Sequence, residues 1–108
     1  MNESSDRAGI DLIASERARQ ISEEGWTPEH DDTHRTGQLA RAAARYALQH
    51  VPGRPGRVRW PWATSWFKPS ANPVRNLVKA GALIAAEIDR LQRRNALERC
   101  SQHQEGPR

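Results

Sequence analysis

At 108 residues the chain has room for one small domain with tails and no more. Only 36 % of the residues are hydrophobic, so the core is limited, and support from a second copy in a homo-oligomer is an expectation that follows. The formal charge is +4, which favours an anionic partner, and the one cysteine, Cys100, excludes an internal disulfide.

No apolar run approaches the roughly 20 residues of a membrane span. The first residues lack the basic-then-apolar order of a secretion signal. The expectation is a cytoplasmic protein without a membrane partner.

Charge is unevenly spread. No carboxylate lies between Asp32 and Glu87, and that span holds Arg35, Arg41, Arg45, Arg54, Arg57, Arg59, Lys68, Arg75 and Lys79. Lys68 and Lys79 are the only lysines; arginine suits bidentate recognition of phosphate or carboxylate. A basic middle points to a nucleotide or nucleic acid. The competing reading is a solvated basic surface.

Residues 1–5 read as a polar tail, 6–98 as a single helical domain, and 99–108 as a second polar tail. In chain order, a first helix is predicted from about Asp6 to Ser22. Ile10, Ile13, Ala14, Ala18 and Ile21 recur at helical spacing and form its expected apolar stripe. Gly25 can take the left-handed conformation that ends it.

The acidic loop follows, with Glu24, Glu29, His30, Asp31, Asp32 and His34 around Trp26. A second helix is predicted from about Thr36 to His50, capped by Asp32, Thr33 or Thr36 and burying Leu39, Ala43, Tyr46 and Ala47. The stretch VPGRPGR ends it as a flexible loop.

The segment WPWATSWFKPSANP holds Trp60, Trp62 and Trp66, and its prolines disfavour both strand and helix. An ordered irregular loop is expected, folded back onto the helices. Asn72 and Pro73 then open a third helix as cap and first residue. Leu77, Gly81, Ile84, Ile88 and Leu91 form its expected core face, widened by Val78 and Ala85. Gly81 marks a close helix crossing. The helix is expected to end between Arg94 and Cys100.

Two constellations carry chemistry. Imidazole and carboxylate at His30, Asp31, Asp32 and His34 are metal-ligand types, and His30 or His34 has acid–base potential. No second helix offers a matching acidic pair, since Glu87 and Asp89 are two apart. Acidic residues at a helix start also serve its free amides and dipole. The other constellation is Trp26, Trp60, Trp62 and Trp66 beside Arg59, Lys68, Arg75 and Lys79. Aromatic faces stack a base while cations hold phosphate. Indoles also make cores, but few apolar partners remain for four of them. No glycine-rich phosphate loop, nucleophile elbow or zinc signature occurs.

Over residues 12–91, the run ERARQISEEGWTPEHDDTH, then GQLARAAARYA, WPW, SWFKP and LVKAGALIAAEIDRL resembles a family of short uncharacterised phage and prophage proteins. That resemblance implies a phage accessory role and no particular activity. EEGW followed by HDD, and a helix holding Tyr46, is similar to the ryanodine-receptor repeat domain. Gly25, Trp26, Asp31 and Asp32 match it. His30 stands where that family has arginine, and Arg45 where it has proline. This second resemblance implies the sensing of a nucleotide-derived signal.

The expected fold is therefore all-α, with three main helices and an irregular Trp/Pro-rich loop between the second and third. The expected function is binding a small, nucleotide-like anion, with no metal or cofactor required. Trp26, Trp60, Trp62 and Trp66 form the wall. Arg59, Lys68, Arg75 and Lys79 face phosphate, and Asp31, Asp32, His30 and His34 form the rim. A metal-dependent nucleotide hydrolase using the acidic loop, and a DNA-binding protein using the arginines of residues 35–59, are the alternatives.

Overall fold

The computed structural model describes residues 7–53 and 58–105. The elements are α1 (Gly9–Glu24), α2 (Pro28–Asp31), α3 (Gln38–Ala47), a 3-10 turn (Thr64–Trp66) and α4 (Pro73–Glu105). The fold is all-α: no strand occurs among the described residues. The three main helices are α1, α3 and α4, with the irregular Trp/Pro-rich segment between the last two. Among the described residues no helix is long and apolar enough to cross a membrane. Arg54 and Arg57, the first six residues and the last three lie outside the described residues.

Local chemistry sets the helix ends. Gly25 adopts φ +74° after α1, and the Trp26 N–H returns to the Gln20 carbonyl at 3.1 Å. A Cβ there would strain the left-handed backbone. Asn72 accepts the Val74 N–H at 2.9 Å, and Pro73 takes the first position of α4, as expected. The cap of α3 differs from expectation. It is Gly37, with φ +83°, and neither Asp32, Thr33 nor Thr36 caps it. Thr27 instead caps the single turn α2, accepting the His30 N–H at 3.2 Å. Helix α4 continues to Glu105, past the expected end, and spans 33 residues, about 50 Å at 1.5 Å per residue.

The core joins α3 to α4. Leu39, Ala42, Ala43 and Tyr46 meet Ala80, Leu83 and Ala86, with Trp26 in the same cluster. Small side chains on both helices let the axes come close and seal Leu39 and Leu83.

Most of two expected core faces points outward, although Val78 of α4 is buried as expected and Ile13 and Ile21 of α1 are half-buried. On α4, Leu77, Ile84, Ile88 and Leu91 are exposed, while Val78, Ala80, Ala82, Leu83 and Ala86 are buried. The helix carries apolar residues on two stripes, and the alanine stripe is the one that fits the alanines of α3. On α1, Ile10, Ala14 and Ala18 are exposed, and the buried residues are the polar pair Glu16 and Gln20. Gly81 does mark a crossing: a Cβ on it would lie 2.5 Å from Ile13 Cδ1 on α1.

Candidate functional site

The acidic loop and the tryptophan loop meet. Trp26, fixed between the Gly25 turn and α2, is 7 % exposed, and the Trp62 ring lies 5.9 Å from it. Trp62 also packs on His34 at 4.8 Å and on Trp60 at 5.3 Å. Trp60 is held from several sides. It meets Tyr46 edge-on at 5.5 Å and Phe67 at 4.8 Å, and its Nε1 donates to the Ala63 carbonyl at 3.0 Å. Trp66, in the 3-10 turn, is 49 % exposed. The four indoles therefore divide: Trp26 and Trp60 are packing residues first, and Trp66 presents its face.

Two hollows adjoin, and both are lined by Trp26 and Trp66. The first, about 350 Å³, is apolar, with Trp62, Leu39, His30 and His34 completing its wall. The Trp62 Nε1–H is buried without an acceptor. The second, about 360 Å³, is polar and of mixed charge: Glu16, Glu23 and Glu24 line it with Arg19, Arg75, Lys68 and Lys79, beside Gln20 and Tyr46.

The polar hollow is organised by ion pairs. Glu16, buried on α1, is bonded by Arg19 at 2.9 Å, Arg75 at 2.8 Å and Gln20 Nε2 at 3.1 Å. Burial alone would push this carboxyl up, but the two guanidiniums and the amide hold it below the usual carboxylate range. Arg19 also reaches Glu24 at 2.6 Å. The arginines are thus spent on carboxylates, while no ion pair among the described residues engages Lys68 or Lys79. Lys79 Nζ donates to the Lys68 carbonyl at 2.6 Å and sits 5.5 Å from the Tyr46 ring centroid. Burial and neighbouring Arg75 pull Lys79 below its ordinary pKa. The Lys68 N–H in turn donates to the Tyr46 hydroxyl at 3.0 Å, which ties the tryptophan loop to α3.

The expected rim is arranged differently. Asp31 lines the apolar hollow, yet it is 1 % exposed and its Oδ2 is taken by Arg17 at 2.8 Å. Burial pushes its carboxyl up, and Arg17 works against that shift. Asp32 is held by Arg93 of α4 at 2.7 Å. Asp31 is closed to a ribose, and Asp32, half-exposed, lines neither hollow. His30 and His34 meet edge-to-face at 5.1 Å, and burial, then the neighbouring His30, lowers the pKa of His34. Among the described residues no three His, Cys, Asp or Glu side chains are grouped to hold a metal. Arg59 is exposed and lines neither hollow. Of the basic run 35–59, Arg45 stacks on Phe67 at 4.6 Å and bonds Gln49.

Sequence reasoning passed over Glu16, Gln20, Arg17 and Arg19. The spacing of Glu16, Arg19 and Gln20 places them on one helical face, a signal that was available. The Arg17–Asp31 pair spans a loop and left no local trace.

No protein-family model, curated protein or solved structure matches the chain. Any function rests on the geometry.

Proposed function

We propose that this protein binds a small nucleotide or nucleotide-derived signal across the two hollows. The planar base lies against Trp66, Trp62 and His34, and the phosphate lies toward Lys68 and Lys79. One observation carries this reading: an apolar aromatic hollow and a polar hollow whose two lysines form no ion pair among the described residues share Trp26 and Trp66 as their common wall. Base–indole stacking contributes about 1–3 kcal/mol per base. Charge-assisted hydrogen bonds contribute about 1.5–3 kcal/mol each. The unpartnered Trp62 N–H supplies a donor for a base carbonyl.

Binding without turnover fits better than hydrolysis, because Asp31, the carboxylate that lines the apolar hollow, is engaged by Arg17. The resemblance to short phage proteins adds a setting, an accessory protein that holds such a signal.

The test is tryptophan fluorescence against mono-, di- and cyclic nucleotides. Quenching is expected from at least one, and Trp66→Ala should abolish most of it. Lys68→Ala and Lys79→Ala should each weaken binding about tenfold, equal to 1.4 kcal/mol, which lies just below the range for a charge-assisted bond. No quenching by any nucleotide would sink the proposal.

A further inference from the structure

Gln20 is 2 % exposed and lines the polar hollow, and its Oε1 has no hydrogen-bond partner. Its amide cannot be turned to hide this. Nε2 donates to Glu16 Oε2 at 3.1 Å, and turning the group would set the carbonyl oxygen against a carboxylate. Glu16 in turn is fixed by Arg19 and Arg75. The orphan acceptor is therefore held in place by three charged groups, and a sealed acceptor of this kind is costly until a donor meets it.

Phosphate at neutral pH is chiefly an acceptor and does little for that oxygen. Lys68 and Lys79 suit the phosphate, and the apolar hollow suits the base. The part of a nucleotide that joins base to phosphate is the sugar, and its donors are hydroxyl groups.

We propose that Gln20 is a specificity-determining residue that accepts a hydrogen bond from a ribose hydroxyl, so that the site selects ribonucleotides over deoxyribonucleotides. This rests on the small-nucleotide reading of the same two hollows. The hydroxyl reaches Oε1 as the flexible ends of Lys68 and Lys79 are drawn to the phosphate, while Arg75 stays on Glu16. A site built around a polar group discriminates strongly against a ligand that lacks the matching group, because the buried partner is left unpaired.

The experiment titrates the full chain with adenosine and guanosine 5′-monophosphates and with their 2′-deoxy and 3′-deoxy analogues. Wild-type protein should bind one ribonucleotide at least tenfold more tightly than one of its deoxy analogues. Gln20→Leu should bind that deoxy analogue about as well as wild type does and should lose the preference. Equal affinity of wild type for the ribo and both deoxy forms overturns the inference while leaving nucleotide binding intact. An unchanged preference in Gln20→Leu overturns it as well. Absence of binding by every ribonucleotide, the di- and cyclic nucleotides of the fluorescence panel included, sinks the parent reading instead. The comparison of ligands on wild-type protein stands even where Gln20→Leu fails to fold.

Discussion

Trp62 rests against Trp26 with ring centroids 5.9 Å apart and planes tilted by 59°, and this contact joins the acidic loop to the tryptophan loop. A buried tryptophan replaced by alanine costs about 3–5 kcal/mol. Trp62 is half-buried, so Trp62→Ala should cost about 2 kcal/mol in urea denaturation, nearer the transfer cost of a partly buried side chain. A loss below about 0.5 kcal/mol, the range of ordinary surface changes, would mean that the contact does not clamp the loops.

Helix α4 offers a direct comparison between neighbours. Leu83 is fully buried against α3, and Ile84, the next residue, is 48 % exposed. Leu83→Ala should cost about 2–5 kcal/mol, the usual range for core leucine. Ile84→Ala should cost well under half of that. Chemical denaturation of the two variants side by side checks the assignment of the inner face, and a reversed order would contradict it.

That pair also shows what was readable in the sequence and what was not. Gly25, and Asn72 with Pro73, end or open helices through backbone and capping chemistry confined to a few residues, so they were legible. The meeting of the two loops was foreshadowed by four indoles with too few apolar partners. The inner face of α4 was misassigned because periodicity finds apolar stripes without saying which one has a partner. Large residues at 77, 84, 88 and 91 outweigh alanines in any such reading, yet alanines at 80 and 86 permit the close approach to α3. The Glu16–Gln20 cluster escaped notice because buried polar residues are explained only by tertiary partners, here Arg75 of α4.

The adjacent residues Asp31 and Asp32 should respond differently to alanine. Asp31 is sealed with Arg17, whereas Asp32 and Arg93 stay largely in contact with solvent. Removing one partner of a buried pair costs about 3–5 kcal/mol, because a buried charge is left uncompensated. An exposed pair contributes about 0–1 kcal/mol. Asp31→Ala should therefore fall well below Asp32→Ala in denaturant midpoint. Equal midpoints would show that the Arg17–Asp31 pair is solvated.

His34 and Glu16 each remove stability on acidification, in separate windows, and Asp31, whose carboxyl burial raises, opposes the lower one. Burial, and then His30, lowers His34 from its ordinary 6.5, so the unfolded chain takes the proton first as pH drops. This contribution is complete above 6.5 and is lost as pH falls through the lowered folded value. Glu16, held below its ordinary 4.5 by Arg19 and Arg75 against the cost of burial, adds stability that is complete above 4.5 and is lost at lower pH. Thermal midpoints from pH 8 downward should decline in the upper window, and Glu16→Gln should remove the Glu16 share of any decline below pH 4.5. His34→Asn should flatten only the upper one, and an unaltered upper slope would remove His34 as its source.

Tyr46 couples the core to the polar hollow. Its hydroxyl accepts the Lys68 N–H at 3.0 Å, and its ring packs against both Trp60 and Phe67, which also meet each other. Tyr46→Phe keeps the ring and deletes the acceptor. A net hydrogen bond is worth about 1 kcal/mol, so the fall in stability should be of that order. The Lys68 N–H left behind has only solvent to meet, and the lysine backbone is then free to drift from Lys79, which holds the Lys68 carbonyl at 2.6 Å. Amide exchange at Lys68 should accelerate by more than global destabilisation accounts for. Any nucleotide affinity should drop at the same time, since both lysines depend on that anchor. Local exchange that merely tracks global stability would show that Tyr46 supports the fold without positioning the lysines.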